Sequence, residues 1–301
     1  MLSGLSTVRH IASSFGADDL FLTAEFERRV RVWSLVERRL LGEFDTVLDY
    51  GGRRLALCGT LQRPIVVAGA YQQHGICGYD GLSGTQLWQR KDLKKIQTVV
   101  PLEGGSLLCA CFDERPLHAL DAMSGETVVQ IRCLREIYPS PLGSLAITWR
   151  HGKVGNDGVV GLLDTAEWNH TWHAGVDGQL LAAAFSPDAV VVSRGGGDGA
   201  NSFYCFDLAG KLLWQLRLPP ETNAWTVAWD AMAAEWIAVR HHYNLERPDT
   251  LVRISVDGAV LTETPLGLLG DFKLLPSGRH LVTGLGQVLD TQSGSSVWDF
   301  G

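Results

Sequence analysis

One pattern recurs along the chain and limits its fold more than any other feature. An acidic residue opens a short turn, a glycine closes it, and an apolar stretch follows that ends in tryptophan. Asp80-Gly-Leu-Ser-Gly84-Thr-Gln-Leu-Trp88 is the cleanest copy, and Asp290-Thr-Gln-Ser-Gly294-Ser-Ser-Val-Trp298 keeps its spacing. Asp121-Ala-Met-Ser-Gly125 runs on to Val129 at the tryptophan position. Asp164 precedes Trp172, and Asp207-Leu-Ala-Gly210-Lys-Leu-Leu-Trp214 is one residue shorter. Two further copies are anchored by Ser34, after Val30-Arg-Val-Trp33, and by Ser255, before Asp257-Gly258. The anchors 34, 80, 121, 164, 207, 255 and 290 recur on average about every 43 residues. That is the period of a four-stranded propeller blade, a unit that buries its apolar faces only by packing against copies of itself.

The rest of each period reads as β. In the third repeat, apolar runs cover Gln97 to Pro101, Ser106 to Cys111, Leu117 to Asp121 and Glu126 to Cys133. In the fifth they cover Leu180 to Phe185, Ala189 to Ser193, Asn201 to Asp207 and Lys211 to Leu218. Val, Ile, Leu, Phe and Trp dominate, as strands require. Alternation is imperfect, which fits blades covered on both faces. A helical solenoid fails for want of capped stretches with helical period, and a sandwich does not explain a fixed period.

The recurring residues have structural reasons. An Asp at the first turn position accepts hydrogen bonds from the amides two and three residues on. Gly supplies the positive φ that closes the hairpin. Tryptophan on the outer strand carries enough apolar area to fill the wedge between blades. Asp80, Asp121, Asp164, Asp207 and Asp290 are therefore read as turn formers, not catalysts.

Tyr79-Asp80-Gly-Leu-Ser-Gly84-Thr-Gln-Leu-Trp88 resembles the tryptophan-docking motif of quinoprotein-like propellers, Ala-x-Asp-x-x-Thr-Gly-Lys-x-x-Trp, with Gly78 where the motif has Ala. Val30-Arg-Val-Trp33-Ser34 and Ser295-Ser-Val-Trp298-Asp299 resemble the Trp-Asp ends of WD-repeat blades, without the Gly-His dipeptide that opens such repeats. The resemblance implies an all-β, seven-bladed propeller of four-stranded antiparallel blades, and says little about function. Seven anchors divide the single domain, residues 1–301, into blades near 5–44, 45–92, 93–134, 135–175, 176–219, 220–267 and 268–301. The chain ends on a predicted outer strand, so blades seven and one are expected to close by packing. The alternative is that Leu2 to Ser6 adds a strand to the last blade.

Composition narrows the partners. With 26 Lys and Arg against 33 Asp and Glu, the net charge is −7. A mildly acidic chain is a poor general binder of nucleic acid or anionic membranes. Arg28, Arg29, Arg31, Arg38 and Arg39 interleave with Glu25, Glu27, Glu37 and Glu43, which reads as a salt-laced surface. No signal-peptide pattern opens the chain and no apolar run approaches the ~18 residues of a membrane span, so the expected location is cytosolic. Cys58, Cys77, Cys109, Cys111, Cys133 and Cys205 form no C-x-x-C pair and are read as reduced, buried residues.

In a propeller the second-to-third loops and the connections between blades share one face. Here those loops are the longer and more polar ones, and loops on a rigid scaffold carry function. The partner surface expected from them comprises Arg150, His151, Lys153, Arg194, His241, Tyr243 and Arg247. Arg and Tyr are preferred anchors of such surfaces, against the plainer reading of solvated hairpin loops. Calcium loops at Gly155-Asn-Asp157-Gly158 and Gly197-Asp198-Gly199 lack further carboxylates. Gly195-Gly-Gly197 lacks the context of a phosphate cradle. His170 and His173, three apart, are expected on opposite faces of a strand, and His241 and His242 diverge likewise.

The leading expectation is a non-catalytic module that binds another protein through its loop face, as a scaffold, complex subunit or neutraliser of a toxin or effector. No cofactor or metal is expected. The first alternative is an enzyme with a metal or quinone cofactor in the funnel, acting as dehydrogenase or lactonase. Its acids would be Asp49, Asp230 and Asp271, near inner strands. The second is a small-ligand binder using Trp225 or Trp229.

Overall fold

The computed structural model describes the backbone of all residues except 1–7, 26–27, 49–52, 72–73, 103–106, 113–115, 132–135, 152–156, 196–200 and 244–246. Side chains are described for the same residues apart from 9, 107–112, 151 and 157. Among the described residues twenty-eight strands form seven four-stranded sheets, each contiguous in sequence and antiparallel throughout. The protein is a seven-bladed β-propeller. Among the described residues no helix is long and apolar enough to cross a membrane.

The inner strands are Val8–Ser13, Leu55–Thr60, Ile96–Leu102, Glu136–Pro139, Gln179–Phe185, Thr222–Asp230 and Phe272–Leu274. Third and fifth blades match the expected runs to within a few residues, for example Leu117–Asp121 and Ala189–Gly195. Weak alternation has the expected cause. Second strands such as Arg63–Gly69 and Ala189–Gly195 are buried almost throughout, whereas the outer strand Asn169–Asp177 alternates between exposed and half-buried.

The turns work as the sequence indicates. Asp80 Oδ1 accepts the amides of Leu82 and Ser83 at 3.0 and 2.8 Å, and Asp121 and Asp290 repeat this geometry. Ser34 substitutes for Asp, its hydroxyl accepting the Glu37 amide at 3.0 Å. The indole of Trp88 donates to the Ala122 carbonyl of the next blade at 3.0 Å and lies against Gly125, where an added Cβ would stand 2.4 Å from the ring. Trp172 does the same to Leu208 and Gly210, and Trp214 to Val256 and Gly258.

Three junctions depart from that rule. Trp33 lies on the third strand of blade 1, Arg29–Ser34, and donates to Thr23 Oγ1 within its own blade. Phe44 takes the wedge position there and faces Gly84. Between blades 3 and 4, Val129 is too small to fill the wedge. The bulk comes from the other side, because Trp168 occupies the turn position of the usual glycine, at φ +54°, and joins the apolar cluster with Val129 and Ile131. Thr264 and Leu266 are the side chains nearest Gly294 between blades 6 and 7.

Among the described residues blades seven and one meet through side-chain packing and hydrogen bonds. Phe21 and Trp33 of blade 1 cluster with Trp298 and Phe300, ring centroids 5.0–6.4 Å apart. Asp18 of blade 1 accepts from the Ser277 amide at 2.9 Å and from His280 Nδ1 at 2.7 Å in blade 7. Among the described residues the seventh sheet contains only its own four strands, and Leu2 to Ser6 lie outside them.

One expectation from strand parity is overturned. His170 and His173 share a face, their rings 4.6 Å apart. The pairing steps from Leu162–Trp172 to Leu163–His170, so Thr171 is bulged out and the parity of the strand flips. Cys58, Cys77 and Cys205 are free and buried, and burial pushes the thiols of Cys58 and Cys205 up to about 12. The side chains of Cys109, Cys111 and Cys133 lie outside the described residues.

Candidate functional site

Backbone hydrogen bonds fix which loops share a face. Thr46, Lys95 and Leu218, each leading from one blade to the next, donate to Arg28, Tyr71 and Asn201 of second-to-third loops. The opposite face carries the Asp-led turns. A central channel runs between them, about 530 Å³ in volume and lined by inner strands of all seven blades. That volume is of the size that takes a small organic molecule.

The channel mouth on the loop face holds the polar groups. Arg53, just before the inner strand of blade 2, reaches across the ring. Its guanidinium donates to Glu136 Oε2 at 3.1 Å and to the Tyr138 hydroxyl of blade 4, and to the Leu181 carbonyl of blade 5. It also lies over the Tyr138 ring, 4.8 Å from the centroid. The Tyr138 hydroxyl donates to Glu136 at 2.6 Å. Burial pushes the Tyr138 phenol above its ordinary range. Burial works against the charge of Arg53, but Tyr138 and Glu136 outweigh it. This latch is satisfied within the chain.

Lys273, on the inner strand of blade 7, is not. It lines the channel and makes no hydrogen bond or ion pair among the described residues. Burial, reinforced by the nearby charge of Arg53 and opposed by Asp271, lowers its ammonium to about 8. Among the described residues four inner strands carry a bulge near their start, at Arg9, Gln97, Leu181 and Trp225, and the last two open on the channel. Pairing steps from Leu180–Arg194 to Ala182–Ser193, and from Ala224–Arg240 to Thr226–Val239, leaving Leu181 and Trp225 unpaired. Both line the channel, and Trp225 is 48% exposed. Trp229 also lines the channel but packs on Trp236, centroids 4.8 Å apart, as part of the core.

The expected partner surface is reached only in part. Arg150, Tyr243 and Arg247 are exposed, and the Tyr243 hydroxyl accepts from Asn201 Nδ2 at 2.7 Å. Arg194 is buried and donates to the Asp177 carbonyl, so it belongs to the fold and not to an exposed surface. His241 is half-buried and bound through Nδ1 to the buried Asp249 at 2.6 Å. Lys153 and the His151 side chain lie outside the described residues, as do Gly155 and Gly197 to Gly199.

Of the acids considered for a funnel enzyme, the two that are described do not converge. Asp230 is buried in a turn on the opposite face, where Oδ1 accepts the amides of Met232 and Ala233 at 3.0 and 3.2 Å. Asp271 stands at the mouth, its Oδ1 accepting the Phe272 amide at 3.1 Å. Asp49 lies outside the described residues. Among the described residues no three His, Cys, Asp or Glu side chains group as metal ligands. Glu136, beside the channel, is already held by Arg53 and Tyr138, and among the described residues Asp271 is the carboxylate that lines it. The residues described thus do not fit a metal-held quinone. Arg53, Glu136, Tyr138 and Lys273 escape a search for acids alone. Their signal is position, since each sits at the start of an inner strand.

Fold and channel define the chain as a quinoprotein-like propeller. More narrowly, it belongs to the family described as outer membrane protein assembly factor BamB, whose profile matches residues 72–299. No curated protein matches it by sequence. Among solved structures it is similar to a chain of Kuenenia stuttgartiensis hydrazine synthase, at 13% identity and TM-score 0.67 over 99% of this chain and 96% of that one. U3-55K aligns at 14% identity and TM-score 0.66 over 98% and 92%. BamB from Moraxella catarrhalis aligns at 13% identity and TM-score 0.54 over 93% and 81%. Likeness at such identity is a likeness of fold.

Proposed function

We propose that this chain is a non-catalytic interaction module whose loop face binds a partner protein. Membership of a family named for an assembly factor supports this reading. The observation that carries it is the contrast between the two faces. On the turn face, Asp side chains satisfy the backbone amides and the indoles are docked. On the loop face, Tyr243 is half exposed and braced by Asn201, and Arg247, four residues on in sequence, is exposed as well. A braced aromatic and an exposed guanidinium are residue types that anchor interfaces.

Affinity capture from the source cell tests it, using the full chain and the double variant Tyr243→Ala, Arg247→Ala. The expected result is a partner retained by the parent and by a Leu213→Ala control on an outer strand, and lost by the double variant at unchanged thermal stability. A partner kept by the double variant refutes this surface.

A further inference from the structure

We infer that the channel mouth is a binding site for a carboxylate carried on an apolar body, with Lys273 as its cationic anchor and Trp225 as its wall. The inference does not depend on the partner surface, since Tyr243 and Arg247 stay intact in every arm of its test.

Three observations meet at one place. First, an ammonium held half-buried in a channel without a hydrogen bond or ion pair is poorly solvated, and chains ordinarily give such a group a partner. Lys273 has none among the described residues, although Arg53 beside it has three. The latch shows that this mouth can satisfy a cation, and it leaves Lys273 out. Second, the space in front of Lys273 is a real cavity, walled by Val99, Ile137 and Leu181 as well as by the latch. Third, a β-bulge turns Trp225 out of the ladder into that cavity, with nearly half its surface exposed. Bulges that re-aim one side chain gather beside functional sites. A free indole and a free ammonium on neighbouring inner strands suit a ligand with an apolar body and a single negative charge.

The negative group is read as carboxylate. Arg53, the residue suited to a doubly charged, bidentate phosphate, is already engaged by Glu136 and Tyr138. One ammonium alone matches one negative charge. The carboxylate has two sources, a free organic acid or the C-terminus of another chain, and the probes below separate them.

Calorimetric titration of the full chain with phenylacetate and with its neutral analogue phenylacetamide reads the charge requirement. A short peptide ending in phenylalanine, with its C-terminus free or amidated, reads the source. The expected result is that the acid binds roughly tenfold or more tightly than its amide. Lys273→Met removes that preference, and Trp225→Ala weakens acid and amide alike. Lys273→Arg retains the preference, which separates lost charge from lost packing. Phenylacetate favoured over the peptide points to a free acid, and the reverse points to a chain terminus. Equal binding of acid and amide, an unchanged preference in Lys273→Met, or no carboxylate binding at millimolar concentration overturns the inference.

Discussion

The two mouths of the propeller are built on opposite terms. On the turn face, the same solution appears blade after blade. A carboxylate or hydroxyl accepts the turn amides, and at most junctions a bulky ring from one blade covers the backbone of the next. On the loop face, the blades differ from one another. Arg53 is bonded across the ring while Lys273 makes no such bond, and a bulge turns Trp225 of blade 6 into the channel. Repetition marks what holds the ring together, and its failure marks where the chain has something to bind. Substitutions at the two ends should therefore change stability with opposite signs.

The largest effect belongs to the turn face. Trp88 is only 9% exposed and fits the surface of Gly125. Trp88→Ala leaves a cavity between two sheets and orphans the Ala122 carbonyl, so a loss of about 3–5 kcal/mol is expected in urea denaturation. Carboxylate binding at the far mouth should survive wherever the variant is folded. A loss below about 1 kcal/mol would show that the indole is not a wedge.

The junction between blades 3 and 4 sharpens this further, because there the bulk is supplied by Trp168 in place of the outer-strand residue. Trp168→Gly loses packing but relieves a positive φ, for a net loss of about 2 kcal/mol. Val129→Trp overfills the same wedge and costs about 1–3 kcal/mol. The double variant recreates the arrangement of Trp88 and Gly125. It should be more stable than the two losses predict by roughly 1 kcal/mol or more. Strict additivity in a double-mutant cycle would mean that the two residues do not share one space.

At the channel mouth the sign reverses. Free Lys titrates near 10.5, whereas Lys273 in the fold is lowered to about 8. Between these values the unfolded chain holds a proton that the folded chain has released, so the parent gains stability as pH rises through this window. Below about 8 it carries the full cost of holding the charge half-buried in the channel. The charged and titratable neighbours are Arg53, Glu136 and Tyr138 across the mouth, His10 on the adjoining inner strand and Asp271 on its own. Lys273→Met should therefore be more stable than the parent at neutral pH, by about 1 kcal/mol. The gain should fade as pH approaches 10.5. A variant destabilised at neutral pH would show that the attraction of Asp271 outweighs the cost of holding the ammonium in the channel.

The sequence announced the repeating end and was nearly silent about the other. Asp80, Gly84 and Trp88 are legible because turn chemistry is local, with every partner within a few residues or in the next repeat. Trp33 and Trp168 were harder. A wedge needs volume, and volume can be supplied from either side of a junction by any large ring, as Phe44 does. The His170–His173 pair was misplaced because one bulged residue inverts strand parity, and a bulge has no fixed sequence sign. Arg194 looked exposed because it borders a polar loop, yet the Asp177 carbonyl draws it inward. The latch joins residues from three blades, and its contacts span 83 to 128 positions. No local pattern encodes such a contact, and only the radial geometry brings the inner-strand starts together.

The smallest effect tests whether the turn Asp acts by charge or by shape. Asp80 is held below the ordinary carboxylate range, chiefly by the Ser83 amide and its hydroxyl, with the Leu82 amide assisting and burial opposing. A depressed carboxylate gives stability that is present above its unfolded value of 3.8 and lost as pH falls through the folded one. Asp80→Ala removes the acceptor from two amides and should cost about 1 kcal/mol at neutral pH, as loss of an N-cap does. Asp80→Asn keeps an oxygen in place and should cost only a few tenths of a kcal/mol. Its acid limb should also be shallower than the parent's, because one titrating group is gone. If Asn proves as costly as Ala, the negative charge itself holds the turn. The repeat would then conserve an electrostatic contact where the geometry shows an acceptor.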